Sequence, residues 1–535
     1  MKHLTLAMGL VAICASPALA DDAGAPAPPA EREKAIHVLS RCAFGPTPEL
    51  LAKVEKMGVR AWLEAQLAPE KIDDSALEKR LAGLESLGKG TGALMREYNP
   101  QPADDSEAEQ RRVERLRATP GRELKTAVLL RACYSERQLQ EVMVEFWRNH
   151  LNVSLNKDEV AYLAPDYERE VIRKHVFGRF EEMLLASAKH AAMLIYLDQQ
   201  FSQRPLTPTE EKYLKKAGGN LSAAQKQLVR QRGLNENYAR ELLELHTLGV
   251  DNGYTQRDVI EVARALTGWT VDRNGDGGNY YGFWFHKDVH DTDAKYVLGA
   301  SLPRRAASPE EGEAVIRGVA RHRNTSRFIA FKMCRYLVAD RPPEALVERV
   351  AKVFRDTDGD LRAVTRAIVL DDEFLARAHF QAKFKTPFEY VVSLIRVTTA
   401  EVRNPEPVLH ALHLMGQPIY GCDDPTGYYD TREAWLDPGV LALRWQIALD
   451  LCEGRGGGAV RVPDAFFARP GPLDADPPKL NVWLARSGVL PAGADPSLLA
   501  TLSLAVGDGK FTMGDDALRR RVIGLALGSP QFQKQ

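Results

Sequence analysis

Residues Asn235 to Thr270 read NENYARELLELHTLGVDNGYTQRDVIEVARALTGWT, and this stretch decides the fold class because it encodes two helices with marked ends. Asn235 is a favoured N-cap, and Gly249 follows the last apolar residue at helical spacing, so the first helix is predicted from about 236 to 248. Thr255 and Asp258 have the spacing of a capping box and open a second helix to about residue 267. The unit is a helix pair.

The first helix carries two candidate catalytic carboxylates and a candidate metal ligand. Glu241 and Glu244 are three residues apart on the polar side, where they would hold a cation or shuttle a proton. The alternative is a salt-bridged surface beside Arg240. His246 falls on the apolar side, where a histidine is either a core residue with one hydrogen bond or a metal ligand.

Helical spacing of apolar residues dominates the rest of the chain, and alternating strands are scarce. We therefore predict a mainly α fold, a multi-helical globular domain with a minor β hairpin excursion around 269–298, where aromatic residues lie between glycine-rich turns. Further helices are predicted at 31–41, 47–67, 125–133, 135–151, 164–175, 179–187, 310–320, 325–340, 343–356, 361–370, 386–399, 495–506 and 516–528.

Several segments match one family in the same order along the chain. They are HVLSRCAFGPTPELL at 37–51, FWRNHLNV at 146–153, AAMLIYLDQQ at 191–200, the 235–270 stretch, HDTDAKYVLG at 290–299, DGDLRAVTRAIVLDDEF at 358–374, KFKTPFEYVVSLIR at 383–396 and TGYYDTREAWL at 426–436. The chain resembles the large exported bacterial family called domain of unknown function 1800. That resemblance implies no established reaction. Where family members tend to have Asn after YLD, this chain has Gln199.

The N-terminal sequence MKHLTLAMGLVAICASPALA resembles a Sec-type signal peptide, with a positive start, an apolar run and cleavage after Ala20. A lipoprotein at Cys14 is the alternative, but Ile13 before it is bulkier than the small residue expected there. No later segment has the roughly 18 apolar residues needed to span a bilayer. We expect a periplasmic or secreted protein with no integral membrane segment once the signal is removed.

The predicted organisation is a signal peptide at 1–20, a Pro/Ala-rich tether at 21–33 and one large helical domain at 34–535. A subdivision near 400–455 is the alternative, and a charged insert occupies about 203–233. The formal net charge of −1 over 535 residues gives no basic footprint for nucleic acid. Nucleophile-elbow, dinucleotide and phosphate-loop motifs are missing from the sequence.

Five cysteines remain after the signal, and none lies in a CxxC motif. In an oxidising compartment one or two disulfides would form, with Cys422 and Cys452 the nearest pair in sequence, or the thiols belong to the core. The odd number leaves at least one thiol unpaired. The residues are Cys42, Cys133, Cys334, Cys422 and Cys452.

A second inward-facing histidine is predicted on another helix. Ser135 and Gln138 have capping-box spacing, and the helix they open places His150 among the apolar residues Phe146 and Trp147. A buried imidazole needs a partner, which a metal or a carboxylate would supply.

The loop FHKDVHDTDAK adds further candidate ligands. His290 and Asp291 suit zinc, manganese or iron, and a His–Asp pair also suits general-base chemistry. The alternative is a polar turn in which Asp291 caps backbone amides. In DRNGDGG, the residues Asp272, Asn274 and Asp276 match the first half of a calcium loop, but Phe283 stands where the final acidic ligand is expected.

Two hypotheses on function remain open. The first is a periplasmic metal-assisted hydrolase with His150, His246, His290 and Asp291 around a divalent cation and Glu241 or Glu244 as acid/base. The second is a non-catalytic helical binding or assembly protein of the cell envelope. The family resemblance implies its partner, because members often sit beside a second exported family that resembles sulfatases.

Overall fold

Helices make up most of the regular structure, as the apolar spacing predicts. A computed structural model describes residues 30–535 except 208, 211, 213–215, 217–232, 456, 469, 471–472, 474–475 and 508–515. The predicted signal peptide, most of the tether and most of the charged insert lie outside these described residues. The mainly α fold class is confirmed.

The helices of the N-terminal half are α1 Glu31–Cys42, α2 Pro48–Met57, α3 Val59–Gln66, α4 Ser75–Leu81, α5 Thr91–Tyr98, α6 Glu107–Tyr134, α7 Gln138–His150, α8 Val160–Tyr167, α9 Phe180–Lys189, α10 Ala191–Tyr196, α11 Glu236–Glu241 and α12 Gln256–Ala265. Those of the C-terminal half are α13 Glu310–Ala320, α14 Arg323–Leu337, α15 Glu344–Asp356, α16 Leu361–Val369, α17 Pro387–Val397, α18 Glu406–Leu414, α19 Pro438–Glu453, α20 Asp464–Ala468, α21 Pro477–Ser487, α22 Pro496–Gly507 and α23 Asp516–Gly528.

Two helices continue into π-helical turns, at Glu168–Arg173 after α8 and at Leu242–Thr247 after α11. Such turns are rare and often occur at functional sites. Glu168 in the first and His246 in the second are both buried. Each turn therefore presents a polar side chain to the interior.

Three small antiparallel sheets are present in the described residues. The strands are β1 Trp269–Val271, β2 Phe283–Phe285, β3 Lys295–Val297, β4 Ala300–Leu302, β5 Glu401–Val402 and β6 Val460–Arg461. The predicted hairpin is the β1–β2 pair, in which Trp269 faces Phe285 and Val271 faces Phe283. The β5–β6 pair was not predicted, because two-residue strands leave no periodicity to detect.

Local end signals agree with several predicted boundaries. The side chain of Asn235 accepts from the Tyr238 amide at 3.0 Å, and Thr255 and Asp258 form the predicted capping box. The capping box predicted at Ser135 is wrong, because α7 begins only at Gln138 and the Ser135 hydroxyl accepts from the Arg137 amide instead.

Two predicted helices have different extents in the structure. The helix predicted at 47–67 is two helices, α2 and α3, separated at Gly58, whose φ of 89° no right-handed helix contains. The helix predicted at 125–133 is the 28-residue α6, which passes through Pro120.

Buried apolar side chains from Ala35 to Phe532 form one continuous cluster. The helix pairs α14–α15 and α19–α23 pack closely within it. Among the described residues, no helix combines the length and apolar character needed to cross a membrane.

Candidate functional site

His150 and His246 meet in the interior, where α7 ends beside the second π-helical turn. The Nε2 atom of His150 donates to the backbone carbonyl of His246 at 3.1 Å, and the two ring centroids are 6.3 Å apart. Because a carbonyl only accepts, the proton of a neutral His150 ring is on Nε2. His150 Nδ1 and His246 Nε2 are buried with no hydrogen-bond partner among the described residues.

Both imidazoles are held in the neutral form. Burial, and next the nearby cation of Lys332, lower the pKa of His246 to about 4 and that of His150 well below its ordinary value. Rings of Phe146, Trp147 and Phe328 surround His150. The predicted inward orientation is therefore correct for both histidines.

Residues 420–430, which we call the tethered loop, lie against the end of α7 and are fixed there by side chains of α7, of the chain that follows it and of α10. The Asn152 amide donates to the carbonyls of Cys422 and Asp424 at 3.0 and 2.9 Å. The Tyr196 hydroxyl donates to the carbonyl of Asp423, and Ser154 donates to its carboxylate at 2.6 Å.

A reciprocal hydrogen-bond pair holds the second half of the loop. Asn149 Nδ2 donates to the carbonyl of Tyr428 at 2.8 Å, while its Oδ1 accepts from the Tyr428 amide at 2.7 Å. Gly427 makes this approach feasible, since its φ is 75° and a Cβ there would lie 2.4 Å from the Asn149 carbonyl oxygen. Lys383 donates to the carbonyl of Asp430, whose carboxylate lies 3.6 Å from Lys332.

A buried ionic layer supports the loop from below. The Tyr420 hydroxyl donates to Glu168 at 2.6 Å, and Arg148 lies 3.6 Å from the same carboxylate. Arg148 also pairs with Glu145, and Arg173 pairs with Glu141 at 2.5 Å. The polar side of α7 is thus buried and paired, which fixes its orientation under the loop.

The outer face of the loop combines an exposed tyrosine with carboxylates. Tyr429 is 68% exposed although its neighbour Tyr428 is half-buried. Burial raises the pKa of Glu241 above its ordinary value, and the nearby carboxylates of Glu244 and Asp424 raise it further. The positive charge of Arg240 acts in the opposite direction but is the smallest of these effects. Glu241, Glu244 and Asp424 therefore share one acidic surface next to the loop.

His290 and Asp291 belong to a different cluster. His290 Nδ1 faces the carbonyl of Thr267 at 2.8 Å, and its Nε2 faces Glu311 at 2.9 Å, so both ring nitrogens point at acceptors. Lys295, whose side chain is fully buried, also donates to Glu311 at 2.9 Å. Asp291 pairs with Arg264 at 2.8 Å. Among the described residues no hydrogen bond or ring contact joins His290 to His150 or His246.

The four predicted metal ligands are thus distributed over two places. Within the described ranges, no group of three or more His, Cys, Asp or Glu side chains is placed to hold a metal ion. In the DRNGDGG turn, the Asp272 carboxylate accepts from the amides of Gly275, Gly277 and Asn279 at 2.8 to 3.3 Å. Asp272 organises the glycine-rich turn, and Asn274 donates to Asp276 at 3.3 Å.

All five cysteines of the described chain are free thiols, and all but Cys422 are buried. Burial raises the pKa of Cys42 and Cys133 to about 12, which suppresses the reactive thiolate. The interpretation as core thiols therefore fits the four buried cysteines, whereas Cys422 is a half-buried free thiol of the tethered loop.

Sequence reasoning missed Asn149, Asn152 and Tyr196, which hold the loop. The sequence RNHLN carries a signal for the first two. Asparagine is a poor helix former whose side chain commonly bonds to backbone groups, so two asparagines near a helix end indicate such bonds. No local signal identifies the loop as their partner.

The fold and site define a mainly helical protein in which the segments 146–153, 191–200, 235–270, 383–396 and 426–436 meet around the tethered loop. The chain belongs to the family described as "Protein of unknown function (DUF1800)", whose model matches residues 37–534. No curated protein and no solved structure matches the chain.

Proposed function

We propose that the chain is an exported protein of the cell envelope that binds a second exported protein through the outer face of the tethered loop. One observation carries this proposal: the loop is fixed by side chains from several helices, yet it exposes Tyr429 to 68%. The signal-like N-terminus supports export.

Pre-ordering is the physical reason why this surface suits binding. Ordering a loop residue on association costs about 1–2 kcal/mol of backbone entropy. Here Asn149, Asn152 and Tyr196 already hold the loop before a partner arrives. Tyrosine is enriched at the centres of protein interfaces because it buries a large area with few rotamers.

The carboxylates on and beside the tethered loop bear on the chemistry of the partner. Asp424 on the loop and Glu241 and Glu244 on the neighbouring helix give an acidic surface. A partner with basic side chains around a pocket for one aromatic ring would be complementary to it.

The test uses substitutions on the outer face that leave the loop anchors intact. We expect Tyr429→Ala to abolish co-purification of a single exported protein from envelope fractions of producing cells. Asp424→Asn should cause the same loss, because it removes the charge but keeps an acceptor for the Thr426 amide. Val482→Ala, at a 50% exposed apolar side chain on α21, is the matched control and should retain the partner. Loss in all three variants, or in none, would refute the proposal.

A second candidate is the metal-assisted hydrolase of the sequence hypotheses. The observation that favours it is the pair of unpartnered ring nitrogens, His150 Nδ1 and His246 Nε2, together with the raised pKa of Glu241. Against it, Lys332 would place a like charge beside a cation at this pair.

Elemental analysis of the purified mature protein separates the two candidates. Stoichiometric zinc, manganese or iron that disappears in both His150→Ala and His246→Ala would favour the hydrolase. If these two variants retained the metal but His290→Ala and Asp291→Ala lost it, the metal site would instead lie in the second cluster, at His290 and Asp291.

A further inference from the structure

A cleft of about 600 Å³ opens between the start of α5, the end of α8 and the glycine-rich turn after β1. This volume falls in the range of small-molecule sites. The cleft lining shares no residue with the tethered loop, so a ligand in the cleft and a partner on the loop would bind at separate places.

The two walls of the cleft meet closely at one point, and each wall is held by hydrogen bonds of its own. A Cβ at Gly92 would lie 2.7 Å from the Tyr280 carbonyl oxygen, so only glycine permits this approach of the two walls. Arg169 donates to the carbonyls of Leu87 and Lys89 and fixes the first wall. Asp272 fixes the second through the turn amides.

An acceptor lies at the base of the cleft. Asp166 is 93% buried, pairs with Arg169 and lies 3.1 Å from His190 Nε2. His190 Nδ1 accepts from the Ala192 amide, so the ring proton is on Nε2 and points at Asp166. The carboxylate is thereby held in one orientation. Each of its oxygens accepts one of these bonds and keeps a second lone pair with which it could accept from a ligand hydroxyl group.

A cation without a carboxylate partner lies at the mouth. Arg96 is exposed and its guanidinium carbon lies 5.4 Å from the Tyr280 ring centroid, but it forms no hydrogen bond or ion pair with a described residue. The amides of Thr91, Gly92 and Ala93 add donors, since the Gly90 N-cap provides no side-chain acceptor. An acidic group on a ligand would complement this end.

We propose that this cleft binds a hydroxyl-rich ligand that carries a carboxylate, that is, an acidic saccharide. Arg96 binds the carboxylate of the ligand, while Asp166 and Asn279 form hydrogen bonds with its hydroxyl groups. Tyr280 supplies the aromatic side chain. Among the described residues that line the cleft, Ala93 is the only one with a purely aliphatic side chain, so the lining favours a polar ligand over an apolar one.

Calorimetric titration of the full mature chain tests the proposal with three probes: glucuronate, methyl glucoside and inorganic phosphate. We expect glucuronate to bind and the other two to bind at least tenfold more weakly. Arg96→Ala should lower the affinity for glucuronate at least tenfold. Arg257→Ala, at another exposed arginine with no ion pair among the described residues, is the matched control and should leave it unchanged.

Asn279→Ala is a second variant, on an exposed side chain whose loss does not threaten the fold, and it should weaken glucuronate binding. If phosphate bound as tightly as glucuronate, the cleft would be a general anion site and the proposal of a saccharide ligand would be wrong. If methyl glucoside bound as tightly as glucuronate, or if Arg96→Ala left the affinity for glucuronate unchanged, the proposed recognition of an acidic group would be wrong. No binding of any probe would overturn the site.

Discussion

His150 and His246 are joined by a hydrogen bond from a ring nitrogen to a backbone carbonyl, across 3.1 Å, although 96 residues separate them in the chain. This bond connects the end of α7 to the second π-helical turn. Asn149, the neighbour of His150, holds the tethered loop. The interior histidine pair and the outer loop are thus both anchored at the same helix end.

The first prediction concerns stability in acid. The pKa of His246 is about 4 in the folded chain, against an ordinary value of 6.5. At a pH between these two values the histidine is protonated in the unfolded chain but neutral in the folded chain. Stability therefore falls as the pH falls through this window. We expect the protonation of His246 alone to lower the free energy of unfolding by about 2 kcal/mol between pH 7 and pH 4.5, as measured by urea unfolding.

The control is the pH dependence of variants. His246→Gln should lose less stability than the natural sequence over the same interval, whatever its stability at pH 7. His410→Gln, at an exposed position, should keep the original dependence. Identical pH dependence in all three proteins would contradict the neutral buried pair.

The second prediction concerns the closest contact of the tethered loop. In Gly427→Ala the new Cβ adds a clash with the Asn149 carbonyl oxygen to the strain of a positive φ. Gly278→Ala has a similar φ of 80° but no atom within 4 Å of the new Cβ, so it isolates the φ strain.

We expect Gly427→Ala to cost about 1–3 kcal/mol more than Gly278→Ala in equilibrium unfolding. Hydrogen exchange at the Tyr428 amide, which Asn149 protects, should accelerate only in the first variant. Equal costs for the two variants would show that the loop is not tightly seated on α7.

The third prediction concerns the buried charges around His290. Lys295→Met removes the lysine cation that pairs with Glu311 and leaves that carboxylate buried beside the ring of His290. Breaking a buried ion pair typically costs about 3–5 kcal/mol. Lys352→Met breaks an exposed pair with Asp356 and should cost less than about 1 kcal/mol. Similar costs in chemical denaturation would contradict a structural role for the cluster.

Helix ends were predictable wherever a side chain caps its own backbone. Asn235, Thr255 and Asp360 each accept from an amide three residues on, which is a local relation that the sequence carries. The start of α6 was missed because Pro120 suggests a break, although the structure accommodates it within the helix. The π-helical turns were also missed, since no side-chain spacing specifies an extra residue in a turn.

The candidate site was only partly predictable for a related reason. Apolar periodicity placed His150 and His246 in the interior, and both are buried. Which buried groups then meet depends on tertiary packing, so His290 was grouped with them although it contacts Glu311 and Thr267. The Asn149 and Asn152 anchors depend on a loop more than 260 residues away in sequence.

The most direct test of the central claim is site-specific photo-crosslinking in producing cells. A photoreactive side chain at position 429 should yield one discrete adduct with an exported protein, because this position is exposed on a loop that is already ordered. The same side chain at position 482 should give none. No adduct at 429, or the same adduct at both positions, would contradict a binding role for the tethered loop.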